Sequence, residues 1–187
     1  MKIKSIVYTT LLSSMTLLAQ NSVGLNINSD DIEVSGSINL NSLSGYNGGT
    51  TFVLGGSYLN TPDESLFSIG ISGENQLATS SNIKLAFGFK SVMTTDYISI
   101  PFTAKATVGL PLNHSIPSTS LVASFAYAPS ILSFSDAKNY TEFRLEGDME
   151  VISNIHLFTG YRNIQTDYES KEVTFDSGFY AGMVLKF

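Results

Sequence analysis

The chain has 187 residues, with 10 lysine and arginine against 16 aspartate and glutamate side chains, which gives a formal net charge of −6 at pH 7. Nucleic-acid-binding proteins carry a strongly basic patch, so an acidic chain of this kind predicts no nucleic-acid partner. The absence of cysteine excludes disulfides, thiolate metal sites and an anchor attached through cysteine.

The first 19 residues have the layout of a secretory signal peptide. Lys2 and Lys4 precede an apolar run from Ile6 to Leu18, and Ala19 offers a cleavage point whose exact position stays open. The run is too short for a membrane-spanning helix, which needs about 20 apolar residues. We therefore predict export and a single mature domain over residues 20–187, with 16 acidic against 8 basic side chains.

Most of the chain alternates apolar and polar side chains with period two, which predicts strands. The clearest segment sets Phe143, Leu145, Met149 and Val151 against charged neighbours. Similar segments, some weaker, cover 32–40, 51–59, 67–72, 83–90, 98–108, 120–127, 155–166 and 178–187, and a short piece holds Val23, Leu25 and Ile27. Because bacterial single-chain barrels have an even strand number, the prediction is an all-β, antiparallel, up-and-down transmembrane β-barrel of 8–10 strands, with ten favoured.

The polar face of these segments is rich in small residues. Glycine weakens strands, and a solvent-exposed face has no steric need for it, whereas a narrow lumen has. The face carries Gly36, Gly70, Gly88, Gly109, Gly160, Gly178 and Gly182. We therefore predict that apolar side chains face lipid and polar ones face the lumen. A soluble secreted barrel with its apolar side chains inside remains the alternative.

Ten strands place both chain ends at the periplasmic side. The segments predicted on the outer side are Asn60–Asp63, Met93–Asp96, Ala128–Ala137 and Tyr168–Lys171. Five tyrosines fall at the outer strand ends and suggest an interfacial aromatic girdle: Tyr58, Tyr97, Tyr127, Tyr140 and Tyr168. Ile131, Leu132 and Phe134 in the longest outer loop are expected either to fold over the barrel mouth or to rest on lipid headgroups.

Six acidic and six basic side chains are predicted to face the lumen. They are Glu33, Glu74, Lys84, Lys90, Lys105, Glu142, Arg144, Glu146, Asp148, Glu150, Arg162 and Lys186. Because unpaired buried charge is costly, a balanced set predicts a cross-linked and largely filled interior, in which Arg162 answers the acidic ladder of Glu146, Asp148 and Glu150. A narrow charged path for small solutes is the alternative.

The last strand carries a pattern typical of outer-membrane barrels, whose terminal aromatic residue is recognised by the insertion machinery. Here the pattern is Tyr180, Gly182, Leu185 and Phe187. The alternative is an ordinary edge strand of a soluble β-domain.

Three segments carry a resemblance to a known family. Tyr127–Phe134 with Asn139–Tyr140 resembles the outer-strand and loop motif of YfaZ-type outer-membrane proteins, and Gly160–Ile164 resembles the Gly-Tyr-Arg strand of the same family. The Leu25–Asp31 start also fits. The resemblance runs along most of the mature chain, with its specific motifs confined to residues 125–187. It implies a small outer-membrane barrel and little about mechanism.

The sequence offers little catalytic chemistry. The two histidines, His114 and His156, fall near the predicted periplasmic end, and no nucleophile elbow, phosphate loop or metal-ligand cluster is evident. The carboxylates of Asp30–Asp31 and Asp63–Glu64 are interpreted as solvated rather than as contacts to a cation bridging lipopolysaccharide. We predict no enzyme activity, no cofactor and no metal.

The predicted function is a structural, envelope or interaction role in the bacterial outer membrane, with a narrow and weakly selective pore or a soluble lipid-binding barrel as alternatives. The expected partners are outer-membrane lipid and lipopolysaccharide, with the barrel-assembly machinery and periplasmic chaperones during biogenesis. We expect a monomer.

Overall fold

The computed structural model describes residues 21–45, 48–62, 64–112, 117–135, 137–168 and 172–187. The predicted signal peptide, His114, Asp63 and residues 169–171 of one predicted outer loop lie outside these ranges. The strands are β1 (Ser22–Ile27), β2 (Ile32–Asn39), β3 (Thr51–Asn60), β4 (Ser65–Gln76), β5 (Ile83–Met93), β6 (Tyr97–Ser99), β7 (Phe102–Gly109), β8 (Thr119–Ala128), β9 (Ser133–Ser135), β10 (Ala137–Ile152), β11 (Ile155–Tyr168) and β12 (Glu172–Lys186).

Ten of these strands form a closed antiparallel barrel. Each pairs with the next in the order β1, β2, β3, β4, β5, β7, β8, β10, β11 and β12. The barrel closes because β12 pairs with β1, with Val23 opposite Leu185 and Ile27 opposite Ala181. The predicted all-β fold with ten strands is confirmed, and the short segment of Val23, Leu25 and Ile27 is the strand that completes the even number.

The two ends of the barrel differ, and we call them the near end, where β1 begins and β12 ends, and the far end. At the near end the β2–β3 connection holds helix α1 (Leu40–Ser44). The side chain of Asn39 caps α1 by accepting from the Asn41 amide, and Gly45 ends it with φ 67°, a left-handed conformation that favours glycine.

Strands β6 and β9 form a short ribbon that continues the wall at the far end. In β6, Ser99 pairs with Val92 of β5, and Ile98 pairs with Phe134 of β9. The ribbon extends beyond β7 and β8 at the far end. These two strands stop short of it, since the first residue of β7, Phe102, pairs with Tyr127 near the end of β8. The predicted single strand over 98–108 is wrong, because β6 ends at Ser99 and β7 begins at Phe102. Alternation could not predict β9, because this strand is only three residues long.

The outer wall is apolar, as predicted for a barrel in lipid. Its large exposed side chains include Phe87, Phe89, Phe102, Phe143 and Phe179, with Phe179 exposed to 79%. The inner face is crowded: a Cβ on Gly88 would lie 2.1 Å from the Ile71 carbonyl oxygen. Among the described residues no helix is long and apolar enough to cross a membrane.

The buried apolar residues gather inside the far end, in a cluster that we call the cap. Its members are Leu59, Leu66, Val92, Tyr97, Ala126, Ala128, Ala137, Tyr140, Ile164 and Phe175, with Leu132, Tyr168 and Val173 packed against it. A β-bulge in β12 turns Phe175 inward, because the register with β11 shifts between the Ile164–Asp176 and Gln165–Thr174 pairs.

The cap corrects the prediction of an aromatic girdle. Tyr97 and Tyr140 are 2% and 1% exposed and point into the barrel, while Tyr58 and Tyr127 remain on the outer wall at 47% and 42%. Tyr168 packs against the cap. In the predicted outer loop, Leu132 packs against the cap and Ile131 is 82% exposed. Contact of this loop with lipid headgroups stays a prediction.

Candidate functional site

A charged layer lies directly beneath the cap and crosses the lumen. We define it by Glu33 on β2, Lys90 on β5, Glu142 and Arg144 on β10, Arg162 on β11 and Asp176 on β12. A cavity of about 10 Å³ between this layer and the cap is lined by Glu33, Lys90 and Glu142 on one side and by Leu59, Leu66, Val92 and Tyr140 on the other. The charged layer and the cap therefore line the same small cavity.

Glu33 is the centre of the charged layer. It accepts from Arg144 Nη1 at 2.7 Å, from Arg144 Nη2 at 3.0 Å and from Arg162 Nη1 at 2.6 Å. Asn26 Nδ2 donates to the same carboxylate at 2.9 Å. Two guanidinium groups and one amide thus neutralise and saturate a carboxylate that is 2% exposed, which is the condition under which buried charge is tolerated.

Glu142 holds the other side of the layer. Arg144 Nε donates to Glu142 Oε1 at 2.7 Å, and both Lys90 Nζ and the Tyr140 hydroxyl donate to Glu142 Oε2. Arg144 therefore bridges Glu33 and Glu142, and the Tyr140 hydroxyl links the charged layer to the cap.

Arg162 is fully buried and connects the layer to the far-end turn between β1 and β2. Its Nε donates to Asp176, and its Nη2 lies 3.6 Å from Asp31 Oδ2 without a hydrogen-bond partner among the described residues. Burial raises the pKa of Asp31 above its ordinary value, and the neighbouring Asp176 carboxylate acts in the same direction.

A cavity of about 770 Å³ at the near end forms a vestibule below the charged layer. Polar side chains dominate its wall, together with Val53, Val122 and Phe187. The charged members of the wall are Glu74, Lys84, Lys105, Glu146, Asp148 and Lys186. A smaller recess of about 170 Å³ lies beside the layer, between Lys105 and the Lys90–Glu142 pair, with the hydroxyls of Ser72, Thr103 and Ser124 in its wall.

All twelve predicted lumen residues alternate with the apolar outer positions of their strands, but they divide into two groups. Glu33, Lys90, Glu142, Arg144 and Arg162 join into the charged layer. Glu74, Lys84, Lys105, Glu146, Asp148, Glu150 and Lys186 lie on the near-end side of it.

The predicted pairing of Arg162 with the acidic ladder is wrong, because Arg162 is held by Asp176 and Glu33. Other groups contact the three carboxylates of the acidic ladder. Tyr180 donates to Glu146, and His156 Nδ1 lies 2.9 Å from Asp148 Oδ1. The Asn154 amide donates to Glu150 Oε1 at 3.3 Å.

The interpretation of Asp31 as a solvated carboxylate is wrong, because Asp31 is 8% exposed and lies beside Arg162. Sequence reasoning missed Asp176 and Asn26 in this site. Asn26 pairs in register with Glu33 on the neighbouring strand. The signal that could have identified Asn26 is therefore a polar residue on the inward face of β1, next to a charged residue on the inward face of β2. Asp176 sits at the bulge of β12, which period two does not foresee.

The residues of the predicted insertion pattern occupy different surroundings. Tyr180 is 3% exposed and faces the lumen, whereas Leu185 is 42% exposed on the outer wall. A Cβ on Gly182 would lie 2.4 Å from Phe158 Cζ and 2.5 Å from the Leu25 carbonyl oxygen. The Phe187 backbone exchanges two hydrogen bonds with Asn21, at 2.7 and 2.9 Å. Recognition by the insertion machinery stays a prediction.

The described residues hold no group of three or more histidine, aspartate or glutamate side chains arranged to bind a metal ion. The chemistry visible in the barrel is ion pairing and hydrogen bonding.

Comparison with known proteins gives one family match. The model of the YfaZ family, described as YfaZ precursor, matches residues 12–187. No curated protein matches the chain.

Solved structures that resemble the fold do so at low identity, as three of them show. A KdgM porin in complex with disordered oligogalacturonate has a TM-score of 0.48 at 8% identity, covering 90% of this chain and 99% of that one. A bacterial polysaccharide outer membrane secretin gives 0.48 at 10% identity, covering 89% and 69%. A NanC porin gives 0.46 at 9% identity, covering 90% and 99%.

Proposed function

The chain belongs to the YfaZ precursor family, and from this premise we propose that it is an exported outer-membrane barrel whose lumen is closed by its own side chains. Its role is to stabilise the envelope or present surfaces for interaction, not to conduct solutes.

The closed lumen carries this proposal. Tyr97, Tyr140 and Val92 in the cap and Arg162 in the charged layer are between 0% and 2% exposed. A water-filled path along the barrel axis would leave the side chains around it accessible to solvent. Two successive levels of side chains, one apolar and one ion-paired, support the proposal that the vestibule is separated from the far side.

The outer wall supports placement in a bilayer. Exposed phenylalanine, isoleucine and leucine side chains recur on the outer face, as on Phe87, Ile69 and Leu121, and such a wall is stable against lipid and unstable against water. We propose that the near end faces the periplasm and the far end faces the exterior.

Single-channel recording is the decisive experiment. The protein purified from membranes is inserted into planar bilayers, and heat-dependent gel mobility checks that it is folded. We expect no discrete current steps. Regular steps from the unmodified protein would contradict the closed lumen.

A variant designed to open the lumen serves as the positive control. Tyr140→Ala combined with Arg144→Ala removes one large side chain from each closed level, and we expect it to give intermittent current. Lys84→Gln, which changes a charge in the vestibule and leaves both levels intact, is the matched control and should stay silent.

The orientation has its own test because the chain lacks cysteine. Ile131→Cys at the far end and Leu43→Cys at the near end place single thiols at positions that are 82% and 58% exposed. A membrane-impermeant thiol reagent added to intact cells should label the first and spare the second. The reverse pattern would overturn the orientation.

A narrow pore is the second candidate, favoured by the recess beside the charged layer. In this recess the Lys90 side chain is 19% exposed and pairs with Glu142. If this ion pair opened, a solute that entered from the recess would contact Lys90 before it reached the cap. Under this alternative Lys90→Gln would change ion selectivity, whereas in a closed barrel it changes only stability.

We further propose that the protein is not an enzyme and that it works as a monomer. The carboxylates of the charged layer are bound by arginine, lysine, tyrosine and asparagine donors, which leaves them poorly placed for proton transfer. Its proposed contacts are lipid and lipopolysaccharide along the apolar wall, with assembly factors during biogenesis.

A further inference from the structure

The charges of the vestibule are arranged differently from those of the charged layer above it. In the layer, each carboxylate receives direct hydrogen bonds from arginine or lysine. In the vestibule, Lys84 and Lys105 share the single carboxylate of Glu74 at 3.6 and 3.7 Å, beyond hydrogen-bond distance. Two ammonium groups, each about half exposed, thus face one carboxylate, which leaves this strip with positive charge in excess.

An acidic strip lies on another part of the same wall. Glu146 and Asp148 both face the vestibule from β10. Their contacts are the Tyr180 hydroxyl, the Ser120 hydroxyl and the His156 ring. Within the described ranges, no lysine or arginine nitrogen comes within 4 Å of either carboxylate. The contacts of Lys84 and Lys105 thus end at Glu74 and do not reach Glu146 or Asp148, although the charged layer shows that this barrel can pair carboxylates closely with basic side chains.

The strand register fixes the separation of the two strips. Lys84 pairs with Thr107, Thr107 with Val122, and Val122 with Glu146, so one row crosses three strand steps. At about 4.8 Å per step, Lys84 lies about 14 Å from Glu146 along the wall. Lys105 pairs with Ser124, and Ser124 with Arg144, so Lys105 is two steps, or about 10 Å, from β10. The residues between the strips, Thr107 and Val122, are small enough to leave this span open.

From this arrangement we infer that the vestibule binds short zwitterionic peptides, with the terminal ammonium on the Glu146–Asp148 strip and the terminal carboxylate on the Lys84–Lys105 strip. An extended peptide spans about 3.3–3.6 Å per residue, so three residues cover about 10 Å, the lower end of the range of about 10–14 Å between the strips along the wall. The volume of about 770 Å³ accommodates a peptide of this length. That the peptide is held and not passed through rests on the proposed function, in which the charged layer closes the upper end.

Isothermal titration calorimetry on the purified protein in detergent micelles tests the inference. The probe is trialanine with free termini, compared with the same peptide acetylated at one end and amidated at the other. Saturable binding of the free peptide, at least ten-fold tighter than that of the blocked one, is the expected result. No binding of free trialanine at millimolar concentration, or equal binding of both peptides, would overturn it.

Two double variants test which strip binds which end of the peptide. Lys84→Gln with Lys105→Gln should remove the preference for a free carboxylate, and Glu146→Gln with Asp148→Asn should remove the preference for a free amine. Lys138→Gln, an exposed lysine at the far end, is the control and should leave binding unchanged. Variants that all bind as the parent does would refute the two-strip assignment. The peptide comparison on the unmodified protein needs no variant, and its failure would leave the closed lumen untouched, since conductance tests that separately.

Discussion

Arg144 on β10 and Glu33 on β2 are 111 residues apart in the chain and meet through two parallel hydrogen bonds across the barrel, at 2.7 and 3.0 Å. Such a fork fixes both distance and angle between the two strands. It also places the Arg144 guanidinium group at the same carboxylate that accepts a hydrogen bond from Arg162. The interior is therefore held together by contacts that run across the lumen as well as around the wall.

Replacing Arg144 with alanine should destabilise the barrel by about 3–5 kcal/mol, because Glu33 and Glu142 would lose their shared donor while remaining buried. Urea unfolding followed by heat-dependent gel mobility measures the loss. Lys138→Ala, on the same strand and exposed, should cost little. Equal unfolding midpoints for the two variants would argue against a buried and paired Arg144.

Tyr97 should contribute to the cap through both its ring and its hydroxyl. The hydroxyl lies 2.9 Å from Thr166 Oγ1, and the ring meets Tyr168 edge-on at 5.8 Å. Tyr97→Phe should cost about 1 kcal/mol for the lost hydrogen bond, and Tyr97→Ala about 3–5 kcal/mol because a cavity is left. Thermal unfolding of both variants tests the order. An alanine variant as stable as the phenylalanine variant would show that the ring packs loosely.

Gly182 should not tolerate a side chain, for a reason independent of any insertion machinery. A methyl group there would overlap the Leu25 carbonyl oxygen, a backbone atom of the closing pair of strands, so Gly182→Ala should cost about 1–3 kcal/mol. Gly178→Ala is the control on the same strand, since its nearest neighbours would lie at 3.7 and 3.9 Å. Refolding of purified protein into lipid, without cellular factors, is the measurement. Equal refolding of the two variants would contradict the steric account.

Phe187→Ala should separate assembly from stability. Its side chain is 38% exposed, and the hydrogen bonds to Asn21 come from its backbone, so the folded barrel should lose little stability. If Phe187 belongs to the insertion pattern, pulse–chase labelling should show unassembled protein accumulating in the periplasm. Phe179→Ala, an exposed aromatic on the same strand outside the pattern, should assemble normally. Assembly of both variants at the same rate would remove Phe187 from the pattern.

The wall of the barrel could be predicted from the sequence because alternation is a local property. Each residue such as Phe143 or Glu142 is assigned to a face by its neighbours alone, and ten segments followed from that rule. Most of the small residues of the inner face could also be predicted, because glycine in a strand signals close approach, as Gly88 confirms. The assignment of Gly36 is wrong, because Gly36 shares the outer face of β2 with Val34 and Ile38.

The cap and the ion-pair partners could not be predicted in the same way. Tyr97 lies on a three-residue strand, and Phe175 owes its inward direction to a bulge; neither follows from period two. Arg162 was placed in the lumen correctly, but its partner depends on axial height, which alternation does not encode. Its hydrogen bonds to Asp176 and Glu33 show the height at which its guanidinium group lies.

The charged layer has a consequence for the order in which the barrel forms. Glu33 lies in the first hairpin, and its guanidinium partners, Arg144 and Arg162, lie on β10 and β11, which come much later in the chain. Until those strands are in place, the Glu33 carboxylate must stay hydrated. Joining β1 to β12 and expelling water from the interior are therefore expected to occur together, as a single late step whose rate is limited by contacts distant in sequence.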